Sequence, residues 1–152
     1  MTLHIAARPL EHPDSVTMVA AIQHYYVDVY GGVDEDVTEA AEFTPPDGLF
    51  LVGYLDDEPV ACGGWRRQGP DAVEIKRMYV AEQVRRGGLA RAMLAELERT
   101  AVSAGATRVV LNTGFRQPDA MRFYEAHGYR RTDDRFGHYE AIDGAYFYSK
   151  TL

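Results

Sequence analysis

A chain of 152 residues, 46% hydrophobic and 26% charged, is long enough to bury a core without staples and reads as one domain over residues 1–152. A net charge of −7 with no Lys-rich patch argues against a nucleic-acid partner, and no apolar run reaches the length of a membrane span. A lone cysteine, Cys62, excludes an internal disulfide framework; with no signal-peptide pattern at the N-terminus, a reducing, cytoplasmic setting is expected. Residues 1–60 hold 12 acidic side chains and one basic, Arg8, whereas residues 61–152 hold 11 acidic and 15 basic. The basic part suits a polyanionic ligand and the acidic part a cationic one, unless the scattered charges serve solubility alone.

Leu3 to Ala7 can form a first strand. Pro13-Asp14-Ser15 opens a helix with Asp14 or Ser15 as expected N-cap; Val16, Val19, Ala20, Gln23 and Val27 follow at helical spacing, and Gly31-Gly32 ends it. Asp34 to Phe43 is expected as a second, shorter helix, stopped by Pro45-Pro46. Leu49–Leu55, Pro59–Arg67 and Ala72–Val80 read as a meander of strands, joined by Asp56-Asp57-Glu58 and Gln68-Gly69-Pro70-Asp71. Cys62 falls in an apolar strand-like run, where buried filler is favoured over nucleophile.

The pattern then changes. Leu89, Met93, Leu97 and Ala101 make an apolar helical stripe that Gly105 stops. Thr107 to Thr113 is a β-branched, buried-type strand, Pro118 suits the first turn of a helix ending at Gly128, and Ala145 to Leu152 reads as a closing strand. Strands and helices in this order predict an α/β or α+β domain with a mixed sheet. His4, His12, His24, His127 and His138 show no metal-ligand spacing, so no metal is expected.

Between the strand ending at Val80 and the helix starting near Leu89 lies Arg85-Arg86-Gly87-Gly88-Leu89-Ala90. Glycines at a strand-to-helix turn let backbone N–H groups approach an anion, and the helix adds about half a positive charge at its N-terminus. No Gly-Lys-Ser/Thr follows and the G-x-G-x-x-G spacing is absent, so neither nucleotide fingerprint applies. The turn suits a phosphate; the alternative is a flexible basic loop.

Three blocks together resemble the GNAT N-acetyltransferase superfamily, which binds acetyl-coenzyme A. Glu74-Ile75-Lys76-Arg77-Met78-Tyr79-Val80 is similar to the family's central fourth strand. Arg85, Gly88 and Ala90 match its Gln/Arg-x-x-Gly-x-Gly/Ala turn, and Ala120 to Tyr129 matches Ala-x-x-x-Tyr-x-x-x-Gly-Phe/Tyr. The resemblance implies a mixed, mostly antiparallel sheet of six to seven strands flanked by about four helices. It implies a splayed strand pair, Arg77–Val80 and Val109–Thr113, with the cofactor arm between them. Met78, Tyr79 and Val80 would hold the arm and polarise the thioester carbonyl, and Arg85, Arg86, Gly87, Gly88, Leu89 and Ala90 would grip the pyrophosphate. An Asn seven positions before the family tyrosine is replaced here by Gln117, and Asn112 could take part of its role.

Direct transfer to a primary amine follows as the expected chemistry, the acceptor being a small molecule or a peptide. An alkylammonium with pKa near 10.4 is neutral in only about one molecule in a few thousand at pH 7, so a base or water relay is needed. The resemblance offers Glu74, whose alternative is a strand ion pair with Lys76. Tyr124 stands at the family tyrosine as general acid for the leaving thiolate, its alternative being a groove-lining aromatic. Tyr26 and Tyr30, beside the acidic segment Asp34, Glu35, Asp36 and Glu39, would shape an acceptor site for a cation, or form an ordinary solvated face. The rival functions are a non-catalytic acyl-CoA-binding module and an acyltransferase with a longer donor. A homodimer using the tyrosine-rich tail Ala145–Tyr148 is a further expectation, with a core strand as its alternative.

Overall fold

In the computed structural model, which describes residues 3–36, 38–114, 116–137 and 139–152, seven strands make one sheet. They are β1 (Leu3–Ala7), β2 (Gly48–Leu55), β3 (Glu58–Arg67), β4 (Ala72–Val80), β5 (Arg108–Gly114), β6 (Arg130–Arg131) and β7 (Ala145–Thr151), in the order β1-β2-β3-β4-β5-β7-β6. Every neighbouring pair is antiparallel except β4–β5, which is parallel. Three α-helices accompany it, α1 (Pro13–Tyr30), α2 (Leu89–Ser103) and α3 (Pro118–Ala126). That is one fewer than the four expected, and the missing one is the Asp34–Phe43 helix.

Alternation along the strands sorts the core into two layers. Phe50, Val52 and Cys62 meet Met18 of α1 on one face, while Leu51, Val73, Ile75, Val109 and Leu111 meet Met93, Leu94 and Leu97 of α2 on the other. Each buried Leu or Met of that second layer contributes about 1.5–3 kcal/mol relative to exposure. The tail is a core strand. β7 runs between β5 and β6, with Phe147 and Tyr148 buried.

Two helix expectations are corrected. The α1 N-cap is His12, whose ring Nδ1 accepts the Asp14 N–H at 3.1 Å, because Pro13 takes the first helical position. Asp14 thus falls inside the first turn, where its carboxylate accepts from the Tyr54 hydroxyl at 2.6 Å. The buried stripe of α1 is also rotated from the expected one: Met18 and Ile22 face the core, while Val16 and Val27 are exposed. Apolar residues fall on more than one face of α1, so the local pattern alone does not fix which face is buried. Met18, Ile22, Tyr26 and Tyr30 recur at i+4, and this line leads out of the core into the pocket described below.

In place of the Asp34–Phe43 helix stands an irregular segment closed by a 3₁₀ turn, Ala40–Phe43; within that range Val37 lies outside the described residues, as does His138 elsewhere. Helix propensity loses here to buried charge pairing. The Gln23 side chain accepts the Asp34 N–H at 2.7 Å and donates to the Asp34 carbonyl at 3.1 Å, holding the backbone while the Asp34 and Asp36 carboxylates turn inward.

Candidate active site

Parallel pairing between β4 and β5 covers only Ala72, Val73 and Glu74 against Arg108, Val109 and Val110. Beyond it the strands part, so the split expected at Arg77 and Val109 begins at Ile75 and Leu111 instead. Its cause lies on the opposite side of β4. Cys62 faces Tyr79 while Gly64 faces Lys76, so one residue, Gly63, opposes both Arg77 and Met78, a bulge that bends β4 away. Arg77 bears the backbone strain at φ +61°, a left-handed conformation that side chains other than glycine's disfavour.

The split widens into a pocket of about 320 Å³. Ile75, Lys76, Arg77 and Met78 form one wall and Leu111, Asn112, Thr113 and Gly114 the other. Tyr26 and Tyr30 of α1, Gln117 and Tyr124 of the α3 region, and Tyr139 and Asp143 of the β6–β7 loop complete the lining. Tyr30 lies so close to β5 that a Cβ on Gly114 would stand 2.1 Å from its hydroxyl, so a larger residue there would have to displace the Tyr30 side chain. The Gln117 amide donates to that hydroxyl at 2.8 Å, joining α3 to α1 across the pocket.

Of the residues expected from sequence, Met78, Asn112, Gln117, Tyr124, Tyr26 and Tyr30 converge on this pocket. Tyr124 is 8% exposed; its hydroxyl lies 3.6 Å from the Met78 Sδ, and its ring packs edge-on against Phe123 and Tyr129. The Tyr129 hydroxyl donates to Glu98 at 2.7 Å, which also pairs with Lys150, so α2, α3 and β7 together fix the orientation of Tyr124. Burial raises the Tyr124 phenol above its ordinary value. Burial, with Asp34 nearby, does the same for Tyr26.

Glu74 does not line the pocket. It is 2% exposed, and its carboxylate accepts from Arg66 Nε at 2.9 Å rather than pairing with Lys76. Arg66 continues to Asp36 at 2.8 Å, and Lys76 Nζ lies 3.0 Å from both Asp36 and Asp34. Arg77 reaches Asp34 at 3.2 Å, and the Tyr139 hydroxyl donates to Asp34 in a short contact. Burial alone would raise the carboxyls of Asp34 and Asp36, but the Lys76 ammonium and further hydrogen bonds outweigh it and hold both below the ordinary value. Sequence offers Asp34 and Asp36 as part of a cation-binding acceptor site or a solvated face, not as partners of Lys76, Arg66 and Arg77, and nothing in it marks Tyr139.

The glycine turn sits apart from the pocket lining, at the N-terminus of α2. Gly88 is the N-cap at φ +81° and supplies no side-chain cap, so the first N–H groups of α2 remain open to an anion. Arg85 folds back: its Nε donates to the Val80 carbonyl at 2.9 Å and its guanidinium stacks near the rings of Tyr25 and Tyr79. Arg86, Gly87 and Gly88 are exposed, and Leu89 is buried against β4 and α2 neighbours with Ala90 partly covered. Cys62 is buried, its thiol pushed up to about 12 by burial.

These residues fit coenzyme A. The parted strands leave backbone groups of β4 and β5 unladdered, the Thr113 hydroxyl and Arg77 Nε are buried without a partner, and the α2 N-terminus is uncapped. Such orphaned polar groups are costly unless a ligand or water meets them.

A mixed sheet parted at its one parallel pair, with a glycine turn leading into the next helix, defines an acyl-CoA transferase architecture. The chain belongs to the acetyltransferase (GNAT) family, whose model matches residues 16–129, and it is an acetyltransferase with acetyl-CoA as donor. It is similar to the IAA acetyltransferase of Azospirillum brasilense, 28% identical over 115 residues that cover 75% of each chain. Its fold resembles that of a proposed acyl-CoA N-acyltransferase from Klebsiella pneumoniae subsp. pneumoniae MGH 78578, with TM-score 0.85, 22% identity and 99% and 98% of the two chains covered. It also resembles the PaiA N-acetyltransferase of Thermoplasma acidophilum, solved in complex with coenzyme A, with TM-score 0.79, 15% identity and both chains covered completely at 100%. Among the described residues no helix is long and apolar enough to cross a membrane.

Proposed function

We propose that the protein transfers acetyl directly from acetyl-CoA to a primary amine of a small molecule or peptide. The observation that carries this reading is the parting of β4 from β5 with Tyr124 fixed at its edge. When bound, acetyl-CoA supplies an activated acyl group on a thiol leaving group. The open N–H groups from Gly87 to Ala90, with Arg86, hold the pyrophosphate, while Arg85 stiffens the turn through Val80 and Tyr79. Backbone groups of Met78, Tyr79 and Val80 bind the arm as a neighbouring strand would, and an N–H of Met78 or Tyr79 donates to the thioester carbonyl. Asn112 supports the arm from β5, and Gln117 acts by holding Tyr30 in place.

Tyr124 keeps its proton through the neutral range because burial raises its pKa, so it can donate to the departing sulfur. The acceptor amine gives up its proton to water in the pocket. Glu74 reaches the pocket only through Arg66, Asp36 and Lys76, which supports a positioning role for it, with any part in proton acceptance relayed. Tyr26 and Tyr30 form the acceptor wall.

Thiol release from acetyl-CoA, followed across a panel of primary amines, tests the reading. Release that depends on the amine and matches acetylated product one for one supports it; a protein that binds CoA yet releases no thiol with any amine sinks it. Glu74→Gln in the same assay separates its roles. An anchor costs stability with kcat within about tenfold, whereas a direct base costs about 10²-fold or more.

A further inference from the structure

Among the described residues, four acidic or basic side chains line the pocket: Asp34, Lys76, Arg77 and Asp143. The first three are spent on one another and on Asp36. The cationic site expected of the acidic N-terminal segment is therefore already filled by the chain's own Lys76. Its ammonium sits between two carboxylates and 5.2 Å from the centre of the Tyr139 ring. Asp143 is different. It is exposed, and it makes no hydrogen bond or ion pair among the described residues.

Its place is fixed by the surrounding frame. The β5–β7 ladder ends with Gly114 opposite Ala145, so Asp143 stands two residues beyond, at the open side of the pocket. Arg135 donates to the carbonyls of Glu140 and Ile142, in the segment just before Asp143, and lies 4.6 Å from the centre of the Phe147 ring. Tyr139, four residues earlier, is tied to Asp34. Ile142, Tyr26 and Tyr30 line the same pocket and offer apolar surface that a methylene chain can cover.

We propose that Asp143 selects acceptors carrying a second cationic group beside the amine that reacts, the α,ω-diamines being the simplest of them. The proposal rests on the amine-acetylation reading above. One ammonium, once neutral, attacks the thioester; the other stays charged and pairs with the one carboxylate of the lining that the chain leaves open. A monoamine of equal length makes the same reaction without that pair.

The test compares kcat/KM for putrescine and cadaverine with n-butylamine and n-pentylamine, corrected for the two equivalent amines of each diamine. The wild-type protein is expected to favour the diamines by about three- to tenfold, mostly through KM. The preference should shrink as ionic strength rises from about 0.02 M to about 0.5 M, a readout that needs no variant. Asp143→Asn should bring the ratio to near one, and Asp143→Lys should reverse it. Equal kcat/KM for both series, or a preference that survives Asp143→Asn, overturns the proposal while leaving amine acetylation standing. A wild-type protein that binds CoA and acetylates neither series overturns both.

Discussion

The Tyr124 hydroxyl is the one side-chain donor in the pocket that combines burial, a fixed ring and proximity to the strand meant to hold the thioester. It lies 3.6 Å from the Met78 sulfur, and among the described residues no carboxylate hydrogen-bonds to it. Burial lifts its pKa, and the acid form is the active one, so alkaline pH costs nothing until well past the ordinary phenol value of about 10. Tyr124→Phe should therefore lower kcat by about 10²-fold with CoA affinity within about twofold. The wild-type rate should climb from pH 7 to 9 as the acceptor loses its proton, with no falling limb below about pH 10. A Phe variant with wild-type kcat, where chemistry limits turnover, would return Tyr124 to a groove-lining aromatic.

At the scale of elements, the charged network is what ties the irregular segment after α1, the strands β3 and β4 and the β6–β7 loop into one wall. Asp34 and Asp36 have folded-state pKa values below their ordinary ones, so the native state binds fewer protons than the unfolded chain near pH 4. Their contribution is thus complete above about pH 4 and is lost as pH falls through the depressed folded values. Lys76→Met removes the ammonium that both carboxylates share. It should cost about 2–4 kcal/mol at neutral pH in urea titrations and move the acid-unfolding midpoint upward. An unchanged midpoint would mean that Arg66 and Arg77 suffice alone. The same network explains where sequence reading stopped. Apolar strand runs bounded by turns and the Leu89–Ala101 stripe declared themselves, because burial there follows from local pattern. The Asp34–Phe43 segment looked helical because its long-range partners, 30 to 43 residues away in Arg66 and Arg77, leave no local trace. Sequence favours Asp14 or Ser15 as the α1 cap because their oxygens are the commoner acceptors there, but Pro13 takes the first helical position and leaves the cap to the His12 ring nitrogen.

For the whole molecule, a sheet that is antiparallel everywhere but at β4–β5 concentrates its open backbone at one place. The bulge opposite Gly63 bends β4 from β5 past Glu74, and the pocket opens where that single parallel pair ends. Of the three motif blocks, strand β4 and the Tyr124 helix contribute lining to this pocket, whereas the glycine turn stands apart at the N-terminus of α2. The ion pairs among Asp34, Asp36, Lys76 and Arg77 left no trace in the sequence, since these residues come from segments that only the fold brings together. The most direct test of the account is a titration of the isotopically labelled protein with coenzyme A, followed by backbone amide shifts. The account predicts saturable shifts along Ile75–Val80, at Leu111–Gly114 and from Gly87 to Ala90, with β1 unmoved. No shifts at millimolar coenzyme A, or shifts confined to residues away from the parted strands and the glycine turn, would contradict it.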